Sequence, residues 1–134
     1  MQYISKREAK NYSSLTLAFL GDSVFEILVR QKIILNGDMK IDKLHDKKIS
    51  IVCANFQSKA IQSILELNIL SDDELAIFKR GRNSKCHAPK NVNVMDYRFA
   101  TGLESLFGYL YLIGDINRID ELFSIIWNTY EEEL

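Results

Sequence analysis

Apolar residues recur at helical spacing along most of this chain, and short polar breaks separate one run from the next. Spacing by three and four residues is typical of amphipathic helices. The pattern predicts five helices, over residues 14–35, 41–67, 71–82, 94–113 and 116–132. Because no run alternates with the two-residue period of a strand, we expect an all-α fold. The length of 134 residues is that of one domain spanning the whole chain.

Residues with a preference for helix ends lie at the breaks. Ser13 or Ser14 can cap the first helix, and the polar stretch 36–38 ends it. Asn68 closes the second helix. Ser71 followed three residues later by Glu74 is a capping box, in which each side chain bonds the other residue's backbone N–H. These signals fix most of the predicted helix boundaries.

The second predicted helix carries one apolar stripe, which we expect to face the core. Its members are Ile41, Leu44, Ile49, Val52, Phe56, Ala60 and Ile64. Residues 83–93 contain Pro89, the only proline, and show no periodicity, so they are predicted to form the longest loop.

Gly21 and Asp22 occupy interior positions of the first helix, within an apolar run. Relative to alanine, glycine costs about 1 kcal/mol in a helix interior and aspartate up to about 0.7 kcal/mol. A buried carboxylate also requires partners or a metal. Asp22 is therefore either a paired core carboxylate or a metal ligand held on a rigid helix.

Composition excludes several classes of protein. With 47% hydrophobic and 26% charged residues, the chain has a globular composition and not a disordered one. The first ten residues are unlike a secretory signal, and the longest nearly apolar run, 106–114, is too short to span a bilayer. Cys53 and Cys86 show no paired spacing, so we expect free thiols and a cytoplasmic protein.

The net charge of −1 conceals a basic segment. Residues 79–98 carry a charge of +5 and the remainder carries −6. The six basic residues of this segment are Lys79, Arg80, Arg82, Lys85, Lys90 and Arg98. The segment is either a surface that binds the phosphates of a nucleic acid or a solvated loop with incidental charge.

Several ordered motifs resemble the ribonuclease III family, and in particular its Mini-III branch, which consists of the nuclease domain alone. The similar region begins at about Tyr12 and continues to the C-terminus. The matching stretches are Phe19–Val24, Arg80–Lys85, Pro89–Asn91, Tyr97–Thr101 and Glu104–Leu112.

This resemblance implies a ribonuclease III-type helical endonuclease domain in which Asp22 and Glu104 are both catalytic residues and Mg²⁺ ligands. The small residues beside these two acids would allow their helices to pack closely. Larger family members have two further acids, at positions that Ala18 and Thr101 occupy here. Water, RNA phosphate or the Thr101 hydroxyl would then complete the coordination. Glu26, one turn after Asp22, is either a salt-bridge partner or a residue that supports the metal ligands.

The resemblance also implies a double-stranded RNA substrate, specifically the precursor of large-subunit ribosomal RNA, and a homodimer formed around the first helix. Phe19, Phe25, Ile27 and Val29 of that helix lie off its main apolar face, which would provide the dimer surface. The alternatives are a non-catalytic helical RNA-binding module and a dimerisation module. The candidate RNA-binding residues are Arg80, Arg82, Asn83, Lys85, Lys90 and Arg98.

Other apparent sites fail on their ligand sets. His45–Asp46 matches the dipeptide of metal phosphohydrolases, but His87 is the only other histidine. Cys86–His87 lacks the four ligands and paired spacing of a structural zinc site, so we interpret it as part of a loop. The sequence contains no glycine-rich phosphate loop, and we expect no nucleotide cofactor.

Overall fold

The computed structural model describes residues 1–85 and 87–134, and the regular secondary structure in these residues is α-helical. This confirms the predicted all-α fold. The seven helices of the described residues are α1 (Lys6–Lys10), α2 (Ser14–Leu35), α3 (Ile41–Val52), α4 (Ala54–Glu66), α5 (Asp72–Arg82), α6 (Val94–Leu112) and α7 (Ile116–Glu132).

The helix-end signals in the sequence act as predicted. The Ser13 hydroxyl caps α2 by accepting a 3.2 Å hydrogen bond from the backbone N–H of Thr16. The capping box of α5 is complete, with hydrogen bonds of 3.1 and 2.8 Å between Ser71 and Glu74. Asn68 has a φ of 54°, a left-handed conformation that asparagine tolerates, and ends the helical segment before it.

The prediction of one helix over 41–67 is wrong. Cys53 has extended dihedrals, φ −68° and ψ 151°, and separates α3 from α4. The Gln57 side-chain amide donates a 2.9 Å hydrogen bond to the Val52 carbonyl, so a backbone acceptor freed by the break has a side-chain partner. The break lets α3 pack against α2 while α4 packs against α6.

The change of axis at Cys53 also alters the predicted apolar stripe. Phe56, Ala60 and Ile64 of α4 are buried as expected. In α3, however, Ile41 and Ile49 are 62% and 56% exposed. The inward face of α3 instead contains Ile51, which is fully buried, with Leu44 and Val52 half-buried beside it.

Helix α6 lies at the centre of the fold and packs against α2, α4, α5 and α7. Its fully buried apolar side chains are Leu103, Leu106, Phe107, Tyr109 and Leu110. The opposing face of α2 contributes Phe25, whose ring centroid lies 5.8 Å from that of Phe107. The core therefore forms on both sides of the helix that carries Glu104.

Of the four apolar residues that lie off the main face of α2, two are buried and two are exposed. Phe25 and Val29 are buried in the core, so the prediction that they form part of an outer surface is wrong. Phe19 and Ile27 are 82% and 64% exposed, as a surface role requires. Among the described residues, no helix combines the length and hydropathy needed to cross a membrane.

Candidate active site

The site lies where α2 and α6 cross, and two glycines allow the backbones to touch. A Cβ atom on Gly21 would overlap the carbonyl oxygen of Glu104 and lie 2.8 Å from the backbone nitrogen of Gly108. A Cβ atom on Gly108 would overlap the carbonyl oxygen of Leu17 and lie 3.1 Å from the nitrogen of Gly21. Even alanine cannot fit at either position without separating the helices. The expectation of close packing between small faces is confirmed.

This contact brings the predicted acids together. The carboxyl groups of Asp22 and Glu104 are within hydrogen-bonding range of each other. Asp22 is exposed, whereas Glu104 is half-buried. Burial, followed by the hydrogen bond to Asp22 and repulsion from its charge, raises the pKa of Glu104 to about 9. At neutral pH the Glu104 carboxyl therefore holds a proton, which stabilises the pair.

The chemistry of this pair fits a hard divalent cation. Carboxylate oxygens are the donors that Mg²⁺ prefers, and a cation between the two acids would replace the shared proton and relieve their repulsion. In residues 1–85 and 87–134, no three His, Cys, Asp or Glu side chains cluster as metal ligands. Within this part of the chain, a Mg²⁺ ion held by the two carboxylates would need further oxygen atoms to complete its shell.

Thr101 lies one turn before Glu104 and is buried. Its hydroxyl donates a 2.9 Å hydrogen bond to the carbonyl oxygen of Tyr97. The hydroxyl proton is thus used within the helix, while the oxygen lone pairs keep their capacity to accept.

Glu26 forms ion pairs with two cations. Its carboxylate oxygens lie 3.4 Å from Lys48 of α3 and 3.4 Å from Arg30 of α2. These contacts match the salt-bridge interpretation of Glu26.

Two contacts that hold α6 in place were not predicted from the sequence. The buried hydroxyl of Ser105 donates a 2.9 Å hydrogen bond to the carbonyl of Ser14, at the start of α2. The same hydroxyl also meets α5, since a Cβ atom on Gly81 would lie 2.5 Å from the Ser105 Oγ and 2.9 Å from the Cα of Gly102. The sequence signal for both is the recurrence of small residues in α6.

The contact at Gly81 also places the start of the basic segment against α6. Gly81 lies in the last turn of α5, beside the residues that flank Glu104 in the sequence. Arg82 follows it, with its guanidinium 5.7 Å from the ring centroid of Phe78 and its Nε 3.1 Å from the Asn83 Oδ1. Positive charge therefore begins where α5 packs against α6, the helix that carries Glu104.

The predicted RNA-binding residues differ in what they already contact. Lys85, Lys90 and Arg98 are exposed, and so is Asn83 at the end of α5. Arg80 is also exposed, but its guanidinium donates hydrogen bonds of 3.0 and 2.7 Å to the backbone carbonyls of Lys10 and Tyr12. Arg80 thus also fastens the turn between α1 and α2 to α5.

The sites rejected from the sequence gain no support from the structure. His45 lies exposed on α3, and His87 is exposed in the loop before α6. Cys53 is a free thiol at the break between α3 and α4, as expected. Cys86, which was also expected to be a free thiol in a loop, lies outside the described residues.

Comparisons with known proteins identify the family of this fold. The family model of the ribonuclease III domain matches residues 15–115, which include both acids and the basic segment. A Mini-ribonuclease 3 of Clostridium tetani is 42% identical over 130 residues, covering 96% of this chain and 85% of the relative. A Mini-ribonuclease 3 of Thermoanaerobacter is 36% identical, covering 98% and 92%. A crystal structure of a Fusobacterium nucleatum protein matches with a TM-score of 0.79 and 34% identity, covering 87% of this chain and 93% of that chain.

Proposed function

The chain belongs to the ribonuclease III family and is an endoribonuclease, and we propose that it cleaves double-stranded RNA with Mg²⁺ held by Asp22 and Glu104. The observation that carries this proposal is the contact between the two carboxyl groups at a glycine-mediated helix crossing. A module that only bound RNA or only dimerised would have no use for two carboxyl groups held together in this way. Endoribonuclease activity is a function that such a pair would serve.

The two acids have different tasks that follow from their surroundings. Asp22 is exposed, so a cation that it held would be open to the phosphate of an approaching RNA. Glu104 is half-buried on the central helix, which fixes its position, and it must lose its proton to act as a ligand. When bound, Mg²⁺ would activate water and offset the charge that develops on the attacked phosphate. The crossing at Gly21 and Gly108 keeps the two carboxylates in register without help from a flexible loop.

The basic segment supplies the proposed grip on the duplex. An A-form helix presents phosphates, 2′-hydroxyls and a wide, shallow minor groove, and its base edges are hidden in a narrow major groove. Lys85, Lys90 and Arg98 are exposed, and Arg82 and Asn83 lie at the end of α5, where α5 packs against α6. Arg80 contributes its charge while holding the α1–α2 turn. We therefore expect binding that depends mainly on shape and salt.

We also propose a homodimer that cuts both strands with a short 3′ stagger. One carboxyl pair can attack one phosphate per encounter, whereas a two-fold dimer places two equivalent pairs on antiparallel strands. The exposed stripe of α2 supports this assembly, because Leu15, Phe19 and Ile27 are 46%, 82% and 64% exposed along one side. Exposed apolar side chains arranged in this way mark an association surface.

The proposed substrate within the cell is a paired stem of the large-subunit ribosomal RNA precursor. This assignment is supported by the resemblance to the Mini-III branch. It fits a chain that recognises duplex shape and has few residues with which to read bases.

The decisive experiment is cleavage of a long RNA duplex by the purified protein, with Mg²⁺ and with a chelator. We expect Asp22→Asn and Glu104→Gln each to abolish cleavage while duplex binding and helicity persist, because each change removes a charge at nearly constant shape. Asp120→Asn, at an exposed position of α7, is the matched control and should cleave like the wild type. Wild-type rates in either site variant, or undiminished cleavage with chelator, would refute the proposed chemistry.

A further inference from the structure

Arg80, in the last turn of α5, is bonded to the protein itself. Its guanidinium donates hydrogen bonds of 3.0 and 2.7 Å to the backbone carbonyls of Lys10 and Tyr12, at and just after the end of α1. The last carbonyls of a helix have no partner within it, so another group must bond them. A planar guanidinium can hold two such acceptors in a fixed geometry, whereas a lysine ammonium is a compact point charge. The sequence predicts Arg80 as an RNA-binding residue, but the partners observed are carbonyls of this chain.

The turn between α1 and α2 is held from two sides. Arg80 of α5 bonds two of its carbonyls, and the buried Ser105 hydroxyl of α6 bonds the carbonyl of Ser14, the first residue of α2. Gly81, next to Arg80, packs directly on Ser105. Since α2 and α6 carry the two carboxyl groups, these contacts fix the last turn of α5 relative to both helices of the candidate active site.

The segment that follows α5 has few contacts of its own. Residues 83–93, here called the basic loop, connect α5 to α6 and include the exposed Lys85 and Lys90. Its side-chain hydrogen bonds lie at its two ends, at Asn83 and Ser84 after α5 and at Asn93 before α6. Among residues 85 and 87–92, no side chain has a hydrogen-bond or ion-pair partner. The placement of the two lysines therefore depends on how the ends of the loop are held.

We propose that Arg80 is a positioning residue for duplex binding. It fixes the last turn of α5 against the α1–α2 turn, and so determines where Lys85 and Lys90 of the basic loop meet the RNA. The inference rests on the proposed function, because it requires that these lysines bind the duplex. The charge of Arg80 adds to the local field, but its effect on affinity comes through the position of the two lysines.

The chain offers a matched control, because α1 has a second link to α5. The Lys10 Nζ lies 2.7 Å from the Asp73 Oδ1, in the first turn of α5. At a rise of 1.5 Å per residue, Asp73 and Arg80 are about 10 Å apart along the helix. Asp73→Asn thus loosens the same two helices at the end of α5 opposite to the basic loop.

The test is binding of a labelled RNA duplex in chelator, at several salt concentrations. It compares the wild type, Arg80→Lys, the double variant Lys85→Ala/Lys90→Ala, and the combination of all three substitutions. Arg80→Lys keeps the charge and loses the two-carbonyl geometry. We expect it to weaken binding by about 3- to 10-fold and to lower the slope of log binding constant against log salt concentration toward that of the double variant. The combined variant should bind like the double variant, because coupled residues do not add. Asp73→Asn should keep the wild-type slope.

Each other outcome identifies a different failure. Wild-type affinity and slope in Arg80→Lys would overturn the inference, since the geometry at Arg80 would then not matter. Additive losses in the combined variant would show that Arg80 contacts the duplex itself, and an equal loss in Asp73→Asn would show a general loosening of α1. In these cases the proposed duplex binding stands. A wild-type slope in the double variant would instead refute the proposed role of the lysines, and the inference with it.

Folding is checked separately by helicity and thermal midpoint. Arg80 is exposed, so its substitution removes no core packing. If Arg80→Lys does not fold, Arg80→Gln takes its place, because its amide can donate to one carbonyl. The comparison with the double and combined variants applies to it unchanged.

Discussion

Glu104→Gln should stabilise the metal-free protein even though it removes a proposed catalytic residue. The pKa of Glu104 is raised to about 9 from an ordinary value of 4.5, first by burial and then by Asp22. Between these two pH values, the unfolded chain loses the proton that the folded protein keeps. The free energy of unfolding therefore falls as the pH rises through this range. Glutamine resembles the protonated acid and does not titrate.

The size of the effect follows from the same shift. At pH 7.5 the full difference in free energy of unfolding between Glu104→Gln and the wild type would amount to about 4 kcal/mol, from 1.36 kcal/mol for each of three pH units. Glu104 is only half-buried, so solvent screening reduces the expected gain to about 1 to 2 kcal/mol. For a chain of this length, that gain corresponds to about 3 to 8 °C in the thermal midpoint.

Thermal unfolding of the wild type and Glu104→Gln between pH 5 and pH 8.5, in chelator, measures this difference. The variant should match the wild type at pH 5 and exceed it increasingly as the pH rises. Asp120→Asn is again the control, since it changes one exposed acid with no partner in the site. A difference that is the same at every pH, or a variant less stable than the wild type at pH 8, would refute the reasoning. Added Mg²⁺ should narrow the difference in thermal midpoint, because it stabilises the wild type, which has both carboxylates, more than it stabilises Glu104→Gln.

Three further predictions follow from the same structure. Gly108→Ala should lower the free energy of unfolding by about 2 to 3 kcal/mol, because the new Cβ overlaps the Leu17 carbonyl. Chemical denaturation measures this change. A change of less than about 0.5 kcal/mol would contradict the close crossing of α2 and α6. Replacing Lys85 and Lys90 by alanine should lower the magnitude of the slope of log binding constant against log salt concentration by about 1 for each lysine that binds a phosphate. An unchanged slope would mean that these lysines lie in a solvated loop and do not contact the duplex. Phe19→Ser should shift the protein toward monomer in sedimentation and reduce cleavage of both strands. Because Phe19 is 82% exposed, the substitution should not unfold the protein. A fully active monomeric wild type would contradict the proposed dimer.

Local signals accounted for most of the helix boundaries. The starts of α2, α5 and α7 are fixed by side chains within a few residues, such as the Ser71–Glu74 capping box, and such pairs are visible in the sequence. The break at Cys53 has no such signal, because no proline or glycine marks it. The side chain that bonds the freed Val52 carbonyl is that of Gln57, in the next helix. The helix α1 is only five residues long and is held by contacts from Arg80, 70 residues away in the sequence from its Lys10 partner.

The site was predictable to the extent that its residues violate helix propensity. Gly21 and Asp22 are poor choices for a helix interior, and the small residues around Glu104 indicated a close packing partner. The roles of charged surface residues were harder to predict from the sequence, because a guanidinium can bind backbone carbonyls as well as phosphates. Arg80 illustrates this, because its two hydrogen bonds to the α1–α2 turn depend entirely on tertiary structure.

The unfavourable features of this chain meet at the crossing of α2 and α6, and so do the contacts that compensate for them. Gly21 weakens its helix, and Glu104 retains a proton beside Asp22. One turn from Gly21, the Phe25 ring packs 5.8 Å from that of Phe107, in the part of the core where both side chains are fully buried. Burial of two aromatic side chains contributes several kcal/mol, about the size of the local cost. The close helix contact thus brings the two carboxyl groups together, and the adjacent aromatic packing contributes stability that offsets its cost.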